Sequence, residues 1–235
     1  MLIRDKKHFI IGLIMAIVFV IVLVVMSGAN FGGKNAFDAA DRLYNSIAKG
    51  SSYKIPTLER QAREFIGTNI DILIPQASVP SLARIEKLLA RAGAQVSAED
   101  GQLRLQGDLG NIALAALKDS EAMYRNDDRK IIGMYGFTGK EALYTWWEIL
   151  KESLEFLKWN KQVDEASFLD EVVKKGVEVG YNFFGIAPEK AGSKAGILIF
   201  SLCFYIAYTI WWGFAIFFLF EGFGLSMEAG KKEEA

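Results

Sequence analysis

The chain is poor in the residue types that usually carry chemistry. Its 235 residues include one Cys, one His and four Pro. Cys203 lies inside an apolar run, and with no second Cys there is no intrachain disulfide to report the compartment. His8 stands at the mouth of another apolar run. The polar stretch between those runs holds neither type. That excludes from it His acid–base chemistry, Cys nucleophiles, His/Cys zinc sites and Cys-ligated iron–sulfur clusters. A G-x-x-x-x-G-K-[ST] phosphate loop and a G-x-G-x-x-G turn are both missing. An excess of one charge is missing too. Between Ser27 and Lys194, 22 Lys+Arg face 23 Asp+Glu, without the basic stripe a nucleic-acid partner requires. No cofactor, no metal and no nucleic acid are expected.

What the chain does have is two long apolar runs. Phe9–Met26 carries no charge over 18 residues, enough to cross a hydrocarbon core of about 30 Å. A cleaved signal peptide would use Arg4, Lys6 and Lys7 as its basic region and Ser27-Gly28-Ala29 as its cleavage site. Its apolar region would be shorter, about 7–15 residues, so a retained signal anchor is the reading adopted. Ala195–Phe220 is a second span, long enough to tilt. Arg4, Lys6 and Lys7 before the first span, with Lys231 and Lys232 after the second, place both tails (1–8 and 221–235) in the cytoplasm. Residues 27–194 then lie in the periplasm of a bacterial inner-membrane protein. Within the spans, Gly12-x-x-x-Ala16 is a step that permits close helix approach. Ser201, Tyr205, Tyr208, Thr209 and Trp212 share one face of the second run. Hydroxyls at that depth seek partners. They bond back to their own helix, or the row packs against another transmembrane helix.

The central segment reads as α+β. Residues 35–66 form a helical lead-in. Asn69–Ile74 alternates as a strand, Pro80–Ala92 is an amphipathic helix with Leu82, Ile85 and Leu89 inward, and Ala94–Ala98 and Gln102–Gln106 are strands joined at Asp100-Gly101. Asp108 caps a helix over Leu109–Tyr124, and Lys130–Tyr135 supplies a last strand. The order over 69–135 is β-α-β-β-α-β, a split, ferredoxin-like core. A helical hairpin follows over 138–184. Thr138 and Glu141 form a capping box. Leu143, Trp147, Leu150, Leu154 and Leu157 make one seam, and Leu169, Val172, Gly176, Val179 and Phe183 make the other.

The remaining charged groups read as solvated surface. Glu148, Glu152 and Glu155 share a helix face with Lys151 and Lys158, and Asp170–Lys174 and Glu171–Lys175 are i,i+4 pairs. Aromatic bulk is concentrated in one helix. With Trp147 turned inward, Trp146 and Trp159 are left as candidate exposed contact residues.

These features point to a non-catalytic, membrane-anchored scaffold, assembly or accessory subunit of a larger envelope complex. Its partners would be membrane lipid and other membrane-protein subunits or further copies of itself. The layout resembles assembly-platform proteins of bacterial secretion and pilus machines, which typically have one span where this chain has two. The alternatives are a sensor or ligand-binding module that signals through a partner, and a structural or regulatory subunit of a respiratory or transport complex.

Overall fold

The computed structural model describes residues 3–75, 81–99 and 101–225. Pro80, Asp100 and the tail beyond Leu225, with Lys231 and Lys232, lie outside the described residues. The chain divides into two compact units, Asn45–Pro188 and a second made of Met1–Tyr44 with Glu189–Ala235.

The second unit is built on two long helices, α1 (Lys6–Ser27) and α10 (Ala195–Gly222). Both are long and apolar enough to cross a membrane. They run antiparallel: Gly12 of α1 meets Ala215 and Leu219, and Phe19, two turns on, meets Tyr208 and Trp212. Asp5 caps α1, its carboxylate accepting from the backbone N–H of Lys7 and His8. α2 (Ala36–Ser51) follows α1.

In the central unit, α3 (Ile55–Glu64) precedes β1 (Asn69–Pro75), α4 (Leu82–Arg91), β2 (Gln95–Glu99) and β3 (Gln102–Asp108). β3 lies between β1 and β2 and is antiparallel to both, so the strands joined through α4 are parallel to each other. Alternation sets the inner face. Ile70, Ile72 and Ile74 are buried, and Ile72 pairs with the buried Leu105. α4 turns Ile85, Leu88 and Leu89 into the same core. On the outer face Arg104 grips Asp71 through Nε (2.8 Å) and Nη2 (2.6 Å), which holds the Asp71 carboxyl down at about 2.

The segment expected as a fourth strand is a helix. α5 (Leu109–Tyr124), capped by Asp108, leads to α6 (Asp128–Tyr135). The sheet among the described residues therefore has three strands, not the four of a ferredoxin-like core. Three local features explain this. Asp127 accepts from the backbone N–H of Lys130 as an N-cap. Gly136, at φ 80°, ends the helix in the left-handed region. Ile131 and Tyr135, four apart, are the two buried residues, a helical period rather than a strand's alternation of two.

α7 (Gly139–Trp159) and α8 (Val163–Val172) form a hairpin. Thr138 and Glu141 exchange the two bonds of a capping box. After α8 the chain passes through a π-helical turn, Val173–Val177, into α9 (Glu178–Asn182). The wider turn moves the buried face by one position. Leu169, Val172 and Gly176 are inward as their spacing requires; beyond the turn Val177 and Gly180 are the buried positions, while Val179, packed against the core, and Phe183 are half-buried.

Candidate functional site

Each helix of the membrane unit brings small residues to the crossing. A Cβ on Gly12 would stand 2.7 Å from the Leu219 backbone nitrogen, and one on Gly222 would stand 2.6 Å from Phe9 Cα. Ala215 is fully buried and Ala16 partly so. Close approach of backbones at small residues is how helices pack without a solvent-driven force between them. Between these points Trp211 donates from Nε1 to the Met15 carbonyl at 3.1 Å.

The five polar and aromatic residues of α10 divide into three groups. Tyr208 and Trp212 stack on Phe19, with ring centroids 4.5 and 4.4 Å away. Ser201 and Thr209 donate to their own helix, to the carbonyls of Ile197 and Tyr205, both at 2.8 Å. Tyr205 is 64% exposed, and its hydroxyl has no hydrogen-bond partner among the described residues.

In the central unit the two Trp expected at the surface part company. Trp159 ends α7 and is 86% exposed, with the exposed Val163 just across the turn. Trp146 is fully buried, contrary to expectation. The reason is that α7 packs against α4, α5 and β1 as well as α8, so more of its circumference is covered than a two-helix seam allows. Trp147 is the half-buried one, donating to Glu178 at 2.9 Å.

Trp146 marks a site that spacing could not locate. Its Nε1–H donates to Asp119 Oδ2 at 2.8 Å, and the Tyr135 hydroxyl donates to the same oxygen at 2.8 Å. Asp119 is buried, yet Oδ1 receives no hydrogen bond among the described residues. Burial raises its pKa; the two donors, and the positive charges of Arg91 and Lys130, partly offset the rise. Asp119 borders an open cleft of about 300 Å³ whose walls carry Arg91, Lys118 and Lys130.

A second buried polar node is equally invisible in the sequence. Lys49 is fully buried and forms no ion pair among the described residues. Its ammonium donates to the carbonyls of Phe183 (2.9 Å) and Ile186 (2.6 Å) and to Asn126 Oδ1 (3.2 Å), and lies 4.8 Å from the Tyr124 ring centre. Burial lowers its pKa. Another cleft, of about 290 Å³, is lined by Tyr144, Trp147 and Tyr181, and the chain's own cations stand against it: Lys140 over Tyr181 and Lys151 over Trp147.

Three of the acidic side chains are paired locally, whereas Glu148 Oε2 is buried without a hydrogen-bond partner among the described residues. Lys174 holds Asp170 at 2.8 Å, Lys175 holds Glu171 at 2.6 Å and Lys158 holds Glu155 at 2.8 Å. Among the described residues no three His, Cys, Asp or Glu side chains converge as metal ligands. No protein-family model matches the chain, and neither a curated protein nor a solved structure matches it.

Proposed function

We propose that this chain is a non-catalytic, membrane-anchored accessory or scaffold subunit of a larger membrane complex. α1 and α10 hold it in a bacterial inner membrane, with both ends in the cytoplasm and the central unit in the periplasm. The observation that carries the reading is Tyr205. It sits near the middle of α10, exposed, with an unpartnered hydroxyl, while the neighbouring Ser201 and Thr209 satisfy theirs within the helix. In hydrocarbon an unpaired hydroxyl is costly, and a partner helix with an acceptor removes the cost. Trp159 offers a second contact at the hairpin tip, since exposed Trp marks interfaces more often than scattered aliphatics do. The likeness to secretion and pilus platforms rests on layout alone, because the sheet among the described residues has three strands.

The test is affinity purification from native membranes in mild detergent, with every co-purifying chain identified. Other membrane subunits at fixed stoichiometry support the accessory role, and a homo-oligomer alone supports scaffolding. Tyr205→Phe should reduce recovery of the partner while leaving the chain in the membrane. A chain that purifies as a monomer from every detergent sinks the proposal. The open cleft beside Asp119 favours a second reading, a ligand-binding module that acts through such a partner.

A further inference from the structure

The cleft beside Asp119 has a built interior. One face of α5 forms its floor, with Leu114 and Ala115 supplying apolar surface that Met134 of α6 extends. Glu59 of α3 stands on the wall. Arg91 at the end of α4, Lys118 of α5 and Lys130 of α6 complete the rim. The volume, about 300 Å³, is at the small end of the range for small-molecule sites.

The charges do not balance. Arg91, Lys118 and Lys130 form no ion pair among the described residues. Of the carboxylates that border the cleft, Glu121 is already ion-paired with Arg125 and accepts from Tyr53. Glu59 remains, along with the buried Asp119. Three unpaired cations over an apolar floor raise the local concentration of anions. Two acceptors at this site also lack donors. Among the described residues Glu121 Oε2 is buried without a partner, and Asp119 Oδ1, which is not itself fully buried, receives no hydrogen bond. An acceptor left without a donor beside a cleft is matched by a ligand that brings one.

From these observations we infer that the cleft between α3, α5 and α6 binds a small soluble organic anion with an apolar body. Its phosphate or carboxylate lies against Arg91, Lys118 and Lys130, its body covers Leu114, Ala115 and Met134, and a hydroxyl or amine donates to Asp119. This site is independent of whatever the membrane helices contact.

The experiment is calorimetric titration of the full chain in phosphatidylcholine nanodiscs with three probes: 4-hydroxyphenyl phosphate, inorganic phosphate and phenol. Saturable one-to-one binding of the first is expected, with inorganic phosphate at least tenfold weaker and phenol silent. Arg91→Gln with Lys118→Gln should weaken the first probe at least tenfold. Lys174→Gln, an exposed lysine paired with Asp170 outside this cleft, should leave the affinity unchanged. Should the double variant fail to fold, Lys130→Gln alone must still weaken binding. No saturation by about 10 mM, beyond the affinity of the weakest specific complexes, overturns the proposal. So does equal affinity in the parent and a folded rim variant.

Discussion

Asp119 and Lys49 are buried ionisable groups that, among the described residues, have no charged partner in hydrogen-bond contact, and each has a measurable consequence. For Asp119 the folded-state pKa lies above the ordinary 3.8. Between those two values the folded chain keeps a proton that the unfolded chain has released. The stability this group contributes is therefore complete below 3.8 and is lost as pH rises through the folded-state pKa. Asp119→Asn keeps an oxygen for Trp146 and Tyr135 and removes the titration. In chemical denaturation from about pH 4 to about pH 7, the variant should gain on the parent as pH rises. A constant difference across that range would mean that Asp119 titrates normally. Lys49→Met keeps the apolar stem and strips the donor from the carbonyls of Phe183 and Ile186. Buried acceptors left without donors cost about 1–3 kcal/mol in all. Denaturant unfolding should show a loss of that size, and Lys49→Arg should not rescue it, because a planar fork does not reproduce the ammonium's compact geometry.

Among the elements, α6 gives the sharpest test. Gly133 lies inside it, and a Cβ there would meet nothing within 4 Å. Gly133→Ala should stabilise the protein by about 0.5–1 kcal/mol, the usual gain from replacing an unconstrained helical glycine. A strand at 130–135 would gain more from Val than from Ala, the opposite order. This element also shows how far the sequence could be read. Ile131 and Tyr135 fit a helix and the run KIIGMY fits a strand, and a window that short cannot separate the two. Asp127 and Gly136, a cap at each end, are the signals that discriminate. Strands with strict alternation, read over Asn69–Ile74 and Gln102–Gln106, were legible because burial on one side imposes a period of two. The cleft was not legible. Arg91, Lys118, Asp119 and Lys130 come from three helices, and no periodicity within one helix reports what another brings beside it. The π-helical turn was hidden for a related reason: one extra residue in a turn leaves no mark on composition, yet beyond it the buried positions are Val177 and Gly180, with Val179 and Phe183 only half-buried. In the membrane pair, Gly12→Ile should lower the free energy of SDS-induced unfolding by about 1–3 kcal/mol, the cost of overpacking a close contact. Gly213→Ala on α10, where a Cβ meets open space, is the control that should change little.

For the whole molecule, the antiparallel pair sets a condition that chain order alone does not. Arg4 and Asp5 donate backbone N–H groups to the Gly222 carbonyl, at 2.9 and 3.1 Å, so the start of α1 and the end of α10 lie together. If both helices cross the bilayer, the two tails share one side and everything between the spans lies on the other. The experiment replaces Cys203, the one native thiol, with Ser and introduces single cysteines at Ile3, Val163 and Leu225. A membrane-impermeant maleimide added to intact cells with a permeabilised outer envelope should label Val163→Cys alone. Inverted inner-membrane vesicles should reverse the pattern, labelling Ile3→Cys and Leu225→Cys together. The outcome matters beyond orientation. Trp159 and the rim of the Asp119 cleft belong to the unit between the spans, whereas Tyr205 lies within one of them. A partner that engages both must therefore span the membrane and carry a domain on the side where Val163 is labelled. Labelling of Ile3→Cys and Leu225→Cys from opposite sides would break the helix pair and, where α10 is the helix that fails to cross, the requirement for such a partner.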